Sequence, residues 1–104
     1  MIKQFLRNPE NNQPFGILLA DLREDGLHFG WSVTHPYDKF NKARGERIAN
    51  GRLESHTPGQ DIVVPSIMFE TMEKFIDRAQ RYFKAETQSF VIDGWVLQAK
   101  KPRS

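Results

Sequence analysis

The sequence predicts an α+β fold, in which an antiparallel sheet of three to four strands carries two helices packed on one face, in the order (β)ββααβ. Three observations lead to this class. Residues 15–33 hold two segments of strand length joined by an Asp-Gly turn, and residues 66–84 repeat apolar residues at helical spacing. Residues 89–97 return to an apolar composition typical of a strand. Because a sheet with one apolar face must cover it, we expect both helices to pack there.

The size and composition of the chain fit a single domain. A chain of 104 residues with eight Phe, two Trp and two Tyr is long enough to bury a core. It contains no cysteine, which excludes disulfides, thiolate zinc sites and a cysteine nucleophile. The N-terminus lacks the apolar core of a signal peptide, and no apolar run approaches membrane-spanning length. We therefore expect a cytoplasmic protein with no membrane partner, folded over residues 1–99, with a disordered basic tail over residues 100–104.

The N-terminal third is predicted to form a strand followed by a hairpin. Residues 1–7 are expected to be a strand, and the Asn- and Pro-rich residues 8–14 a loop. Residues 15–22 read as a second strand, which ends at a turn over residues 23–26, where Asp-Gly supplies the positive φ angle. The next strand alternates, with Leu27, Phe29, Trp31 and Val33 on one face and His28, Gly30 and Ser32 on a polar face.

Residues 38–53 are predicted to form a basic helix with an unusual content of glycine. The segment holds five of the fifteen Lys and Arg residues of the chain: Lys39, Lys42, Arg44, Arg47 and Arg52. Asp38 is the expected N-cap, because its carboxylate can accept the free N–H groups of the first turn, and the helix is expected to end near Arg52. Gly45 and Gly51 each cost about 1 kcal/mol relative to alanine inside a helix. They therefore indicate close backbone approach, or a helix that ends at Gly51.

The helical repeat places Arg47 on the same face as Phe40, Ala43 and Gly51. An arginine on a packed face is costly unless its guanidinium group meets an acidic partner. We therefore expect Arg47 to face either an internal carboxylate or an external phosphate, and the internal carboxylate is the preferred interpretation.

This segment also resembles a pattern found in small phage- and prophage-encoded proteins of unassigned function. The residues that carry the resemblance are Asp38, Phe40, Lys42, Gly45, Ile48, Ala49, Gly51, Arg52 and Leu53. Ser32 to Tyr37 stand where those proteins have a strand ending in Ser and a polar turn. The resemblance implies a phage-like setting and a shared structural element, and it transfers no activity and no catalytic residues.

The second helix has the clearest periodicity in the chain. It is predicted to begin at Pro65 or Ser66 and to end near Lys84, after a loop over residues 54–61 and a short apolar segment at residues 62–64. Its apolar stripe consists of Met68, Met72, Phe75, Ile76, Ala79 and Phe83. On its polar face, two ion pairs are expected at a spacing of four, Glu70–Lys74 and Asp77–Arg81. The last strand, residues 89–97, is expected to be interrupted by a bend or bulge at Asp93-Gly94.

No catalytic, metal or cofactor site is predicted. The three histidines, His28, His35 and His56, lack the spacing of metal ligands, and His28 is expected to be solvated on its strand. Ser32, His35 and Asp38 have the residue types of a nucleophilic triad, but nothing resembles a nucleophile elbow or an oxyanion hole. Neither glycine spacing matches a phosphate-binding loop of the dinucleotide or P-loop type. The chain is therefore expected not to be an enzyme.

The distribution of charge carries the functional hypotheses. The five cations of residues 38–53, against Asp38 and Glu46, give that segment a charge of +3, and the tail adds +3 to a chain whose net charge is +2. One hypothesis is a non-enzymatic protein that binds nucleic acid or another phosphorylated ligand through these cations. The alternative is a protein-interaction module that acts on a host protein or forms a homodimer. A solvated helix whose arginines pair with carboxylates of the chain also stays open.

Overall fold

The computed structural model describes residues 1–34, 39–56, 63–64, 66–85, 90–92 and 95–97. The elements are β1 (Ile2–Arg7), β2 (Pro14–Arg23), β3 (Gly26–Val33), α1 (Lys42–Ser55), β4 (Val63–Val64), α2 (Phe69–Phe83), β5 (Phe90–Ile92) and β6 (Trp95–Leu97). Strands β1, β2 and β3 form an antiparallel sheet in that order. The predicted α+β class, with a three-stranded antiparallel sheet and two helices, is confirmed.

The hairpin between β2 and β3 forms where the sequence predicts it. The two strands pair from Gly16 with Val33 to Arg23 with Gly26. Gly26 has a φ angle of 128°, which side chains disfavour and glycine tolerates. Leu27 and Phe29 of β3 are buried, and they join the same apolar cluster as Trp31, as the alternation predicts.

Strand β2 lies at the centre of the sheet and buries both of its faces. Residues 17–20 are all fully buried. Leu18 and Ala20 belong to the apolar cluster formed with α2, whereas Ile17 and Leu19 belong to the cluster formed with α1. Since alternate residues of a strand point to opposite faces, each helix covers a face of its own, where we expected one face to carry both. The sequence already indicates this arrangement, because a continuous apolar run is typical of a strand that is buried on both faces.

Helix α1 lies very close to β3, because the residues between them are small. Its buried face consists of Gly45, Ala49 and Leu53, one turn apart. Beneath it, a Cβ atom at Gly30 would collide with the carbonyl oxygen of Ala49 and lie 2.8 Å from the backbone nitrogen of Leu53. The face of β3 that was expected to be polar and solvated therefore packs against α1.

Both predicted ends of α1 are wrong. The N-cap is Asn41 rather than Asp38, and the Asn41 side chain accepts a hydrogen bond from the Arg44 backbone N–H at 3.0 Å. The helix continues through Gly51 to Ser55, whose hydroxyl donates to the Gly51 carbonyl oxygen at 2.9 Å. Gly51 therefore does not end the helix, and residues 54 and 55 are helical rather than part of a loop.

Helix α2 follows its prediction closely. A turn of 3₁₀ helix over Ser66–Met68 precedes it, and it ends where Lys84 adopts a left-handed φ angle of 54°. The predicted apolar stripe is buried at Met68, Met72, Phe75, Ile76 and Ala79. Of the two expected ion pairs, Asp77–Arg81 forms at 3.2 Å, and Glu70–Lys74 does not appear among the ion pairs of the described residues.

The C-terminal strand does not join the main sheet. It is divided into β5 and β6, which pair antiparallel, and β4 pairs with β5 in parallel to complete a second small sheet. The short apolar segment before α2 therefore contributes a strand.

Several predicted features lie outside the described residues: the polar turn at residues 35–37, Pro65, the Asp93-Gly94 bend and the tail at residues 100–104. Within the described part of the chain, neither helix has the length and apolar composition needed to cross a membrane.

Candidate functional site

The structure separates the five predicted cations into two groups. Arg52 and Lys42 lie against aromatic rings of the sheet. Lys39, Arg44 and Arg47 are exposed, and none of them forms an ion pair with another described residue. Of the five cations that the sequence predicts to form a binding surface, the three that contact neither a ring nor a described carboxylate lie at the start and on the outer side of α1.

Arg52 is held by the edge of the sheet. Its guanidinium carbon lies 3.8 Å from the centre of the Trp31 ring, and its Nη1 donates to the Trp31 carbonyl oxygen at 2.8 Å. Burial lowers the pKa of Arg52. A guanidinium group stacked on a ring and bound to a carbonyl is a packing contact. Lys42 is similarly placed 5.6 Å from the Phe5 ring, so neither cation is as free as Arg44 or Arg47.

Arg44 and Arg47 project from the side of α1 that faces away from the sheet. They are three residues apart, and Gly51 follows one turn after Arg47 on the same side. The predicted packed face of Phe40, Ala43, Arg47 and Gly51 is wrong, because Ala43, Arg47 and Gly51 are all exposed. Arg47 therefore does not face an internal carboxylate among the described residues.

The two glutamates of α1 are occupied by cations of the sheet. Lys3 donates to Glu46 at 2.9 Å, and Arg23 forms two hydrogen bonds with Glu54, at 2.8 and 3.2 Å. These hydrogen bonds are the main reason why the pKa of each glutamate is lowered. Because both glutamates of α1 pair with cations of the sheet, they do not neutralise the outward arginines of the helix.

A cleft of about 380 Å³ lies between the end of β3 and the start of α1. Among the described residues, its lining consists of Ser32, Val33, Thr34, Lys39, Asn41, Arg44, Gly45 and Ile48. Two of these residues are cations and none is a carboxylate. The positive end of the α1 helix dipole adds to the same field. The described part of the lining is therefore positively charged.

Gly45 shapes this cleft. A Cβ atom at this position would lie 2.8 Å from the Phe40 ring and 3.2 Å from the Ser32 hydroxyl oxygen. The predicted close approach at Gly45 is confirmed, whereas Gly51 has no atom within 4 Å of such a Cβ. Ser32 is only 4% exposed.

The histidines serve the other end of α1. His28 donates from Nδ1 to the Leu53 carbonyl oxygen at 2.9 Å, and its Nε2 lies 2.6 Å from the Asp25 carboxylate. It therefore caps a carbonyl at the C-terminus of the helix, where a donor is needed. His56 accepts the Phe29 backbone N–H on Nδ1 at 2.9 Å, with its ring 5.5 Å from that of His28. The prediction of a solvated His28 is wrong, since the residue is only 7% exposed.

The histidine cluster packs against the C-terminal end of α1. No group of three ligand side chains suited to a metal occurs among the described residues. Burial lowers the pKa of His56, the charge of His28 lowers it further, and Asp25 opposes both. The hydrogen bond from His28 lowers the pKa of Asp25. The neutral His56 ring therefore accepts a hydrogen bond from the Phe29 N–H, and the neighbouring His28 ring donates one to the Leu53 carbonyl oxygen.

Comparison of the chain with protein-family models, with curated proteins and with solved structures finds no match. The resemblance to small phage proteins stays a prediction. Within it, the spacing of Gly45, Ala49 and Leu53 has a physical explanation, since these three residues are the buried face of α1.

Proposed function

We propose that this protein is a small, non-enzymatic nucleic-acid-binding protein that contacts the phosphate backbone through the outward side of α1. Arg44 and Arg47 are the main contacts, and Lys39 extends the surface at the start of the helix. The observation that supports this most is the pairing pattern. The glutamates of α1 are used by Lys3 and Arg23 of the sheet, and the two outward arginines have no carboxylate partner among the described residues.

The chemistry of arginine suits this role. A guanidinium group presents a planar fork of N–H donors that matches two phosphate oxygens, and it stays charged at any physiological pH. Gly51 leaves the helix backbone bare next to Arg47, so a sugar-phosphate chain can approach the helix closely there. Contacts of this kind position a nucleic acid without reading its bases. We therefore expect sequence-tolerant binding of modest affinity.

The test is binding of duplex DNA, single-stranded DNA and RNA, measured by fluorescence anisotropy over a series of salt concentrations. Three phosphate contacts predict that log K falls with log salt with a slope of about −3 for a duplex. Arg44→Gln together with Arg47→Gln should bring that slope to about −1. A slope that the double variant leaves unchanged contradicts the proposal.

A matched control removes the same charge elsewhere. Lys74 and Lys84 are exposed on or just after α2, which covers the opposite face of the sheet, and neither forms an ion pair with a described residue. Lys74→Gln together with Lys84→Gln should leave the slope near −3. If this control weakens binding as much as the arginine variant does, then net charge and not the α1 surface attracts the nucleic acid.

The alternative function, a protein-interaction module that self-associates, has one structural feature in its favour. A groove of about 720 Å³ lies between the β1–β2 loop and the start of α2, and its apolar lining includes Phe15, Phe40 and Ile67. Ile67 is 54% exposed. Light scattering discriminates between the two functions, because a stable dimer that shows no anisotropy change with any nucleic acid favours the alternative.

A further inference from the structure

We propose that strand β1 pairs with β1 of a second copy of this chain, in an antiparallel arrangement in which the two Gln4 residues lie opposite each other. The two three-stranded sheets then join into one continuous sheet. This inference goes beyond the proposed function, because the pairing uses an edge of the sheet that is not part of the α1 surface and needs no nucleic acid.

The hydrogen-bond pattern of the sheet shows which backbone groups of β1 face outward. The Thr34 N–H donates to the Phe15 carbonyl oxygen at 2.7 Å, at the end of the β2–β3 pairing. Bonded pairs alternate along an antiparallel ladder, so the odd-numbered residues of β2 bond to β3 and the even-numbered ones to β1. Even-numbered residues of β2 lie opposite even-numbered residues of β1. The N–H and C=O groups of Lys3 and Phe5 therefore point away from the sheet.

The outer edge of β1 is open, whereas that of β3 is partly occupied by α1. On β3, the His56 ring accepts the Phe29 N–H. Arg52 donates to the Trp31 carbonyl oxygen on the same edge. The outward backbone groups of β1 form no hydrogen bond with another described residue. Because unpaired groups along a strand edge are a template for a further strand, β1 is the edge at which a strand adds.

The charged residues of β1 are held by their own chain. Lysine on an edge strand commonly prevents edge-to-edge association. Here the Lys3 amino group lies 2.9 Å from the Glu46 carboxylate, so its charge is balanced within the chain. The Arg7 guanidinium group donates to the Asn12 carbonyl oxygen at 3.0 Å and lies 5.7 Å from the Phe5 ring. Neither cation is therefore free to repel an incoming strand.

The residues of β1 select one register for the second strand. A pair centred on Phe5 would place Lys3 opposite Arg7, and a pair centred on Lys3 would place two lysines opposite each other. Like charges directly opposite are unfavourable, so both registers are disfavoured. A pair centred on Gln4 opposes no like charges, and the outward groups of Lys3 and Phe5 then exchange hydrogen bonds in both directions. The opposed pairs in this register are Ile2 with Leu6 and Lys3 with Phe5.

The dimer places both copies of α1 on the same side of the joined sheet. Directly opposed residues of an antiparallel pair have their side chains on the same face. Phe5 packs on the α1 face of its own sheet, and Gln4, on the other face, accepts a hydrogen bond from Arg78 of α2. Two copies of the Arg44 and Arg47 surface therefore lie side by side. This consequence rests on the proposed function, whereas the pairing itself does not.

The first test is sedimentation velocity from micromolar to millimolar protein, because one pair of short strands is a small interface and should give a weak dimer. Lys3→Pro removes the outward N–H and no hydrogen bond within the sheet, and proline is tolerated at such edge positions. Lys3→Ala is the matched control, since it loses the same side chain and keeps the N–H. We expect the wild type and Lys3→Ala to dimerise, and Lys3→Pro to raise the dissociation constant about tenfold or more.

A second test does not depend on Lys3. The chain has no cysteine, so a single Gln4→Cys substitution can form a disulfide only with a second copy. Opposed residues at a non-hydrogen-bonded position have Cα atoms about 4.5 Å apart, a distance that a disulfide can span. We expect Gln4→Cys to cross-link under mild oxidation faster than Lys74→Cys, whose cysteine is at an exposed position on α2.

Three results overturn the inference. These are a wild type that stays monomeric at millimolar concentration, a folded Lys3→Pro variant that dimerises as the wild type does, and a Gln4→Cys variant that cross-links no faster than Lys74→Cys. A monomeric wild type that binds duplex DNA with the expected salt dependence refutes the dimer and leaves the proposed function standing. A dimer that binds no nucleic acid supports this inference and contradicts the proposed function.

Discussion

Three glycines near helix α1 differ in what an alanine side chain would meet, and replacing them one at a time tests the packing of the helix. At Gly51 there is no atom within 4 Å of the added Cβ, so the change acts only through helix propensity. Alanine is favoured over glycine in a helix by about 1 kcal/mol. We therefore expect Gly51→Ala to raise the free energy of unfolding by about 1 kcal/mol and the Tm by roughly 4–8 °C.

Gly30→Ala should have the opposite effect. The added carbon collides with the Ala49 carbonyl oxygen and lies 2.8 Å from both the backbone nitrogen and the Cβ of Leu53. These atoms belong to the helix or are fixed to it, so α1 must move away from the sheet. Overpacking of this kind costs about 1–3 kcal/mol or more. Gly45→Ala falls between the two, because the gain in helix propensity is offset by the Phe40 ring at 2.8 Å.

The assay is urea denaturation followed by circular dichroism at equal m-values, so that a change in midpoint reports stability. The order of stability should be Gly51→Ala, then Gly45→Ala, then Gly30→Ala. A destabilised Gly51→Ala variant contradicts the exposed position of Gly51. A Gly30→Ala variant as stable as the wild type contradicts the close packing of α1 on β3.

Two further predictions concern the C-terminal end of the same helix. Because burial lowers the pKa of His56 in the fold, its contribution to stability is complete above the unfolded pKa of about 6.5 and is lost as the pH falls through the lower folded pKa. His56→Asn keeps an acceptor for the Phe29 N–H, and it should flatten the loss of stability as the pH falls below about 6.5. If urea melts at several pH values show the same loss of stability at low pH for the variant and the wild type, His56 does not have this role. Arg52→Lys keeps the charge but loses the fork and the stacking on Trp31, so it should lower stability by about 1 kcal/mol in the same melts. It should leave the salt dependence of nucleic-acid binding unchanged, and a reduced slope shows that Arg52 contacts the ligand.

The parts of the fold that follow from local pattern were predictable. The β2–β3 hairpin was identified by Asp-Gly between two strand-like segments, and α2 by six apolar residues on one stripe, five of which are buried. Both signals depend on residues close together in sequence, and the structure confirms them.

Helix α1 was not predictable in the same way, because few apolar residues mark its buried face. That face is Gly45, Ala49 and Leu53, and a helical wheel that looks for large side chains placed Arg47 inward instead. The complementary signal was Gly30 on β3, since a glycine within a strand indicates close approach of another backbone. Asp38 and Asn41 are both good caps, and only the structure distinguishes them.

The composition of residues 38–53 indicates which cations could form the candidate site, but it does not indicate which of them contact other residues. The sequence named five cations, and the structure leaves Arg44, Arg47 and Lys39 exposed without carboxylate partners among the described residues. Which cations are occupied depends on long-range neighbours such as Trp31, which lies 21 residues from Arg52. Such contacts are invisible to spacing along the chain.

The most direct test of the proposed function is the salt dependence of duplex binding for the wild type beside the Arg44→Gln, Arg47→Gln double variant. Each phosphate contact contributes about −0.9 to the slope of log K against log salt. The predicted result is a slope of about −3 for the wild type and about −1 for the variant, with the Lys74→Gln, Lys84→Gln control unchanged. Equal slopes for all three proteins, or no measurable binding by the wild type at low salt, contradict the proposed surface.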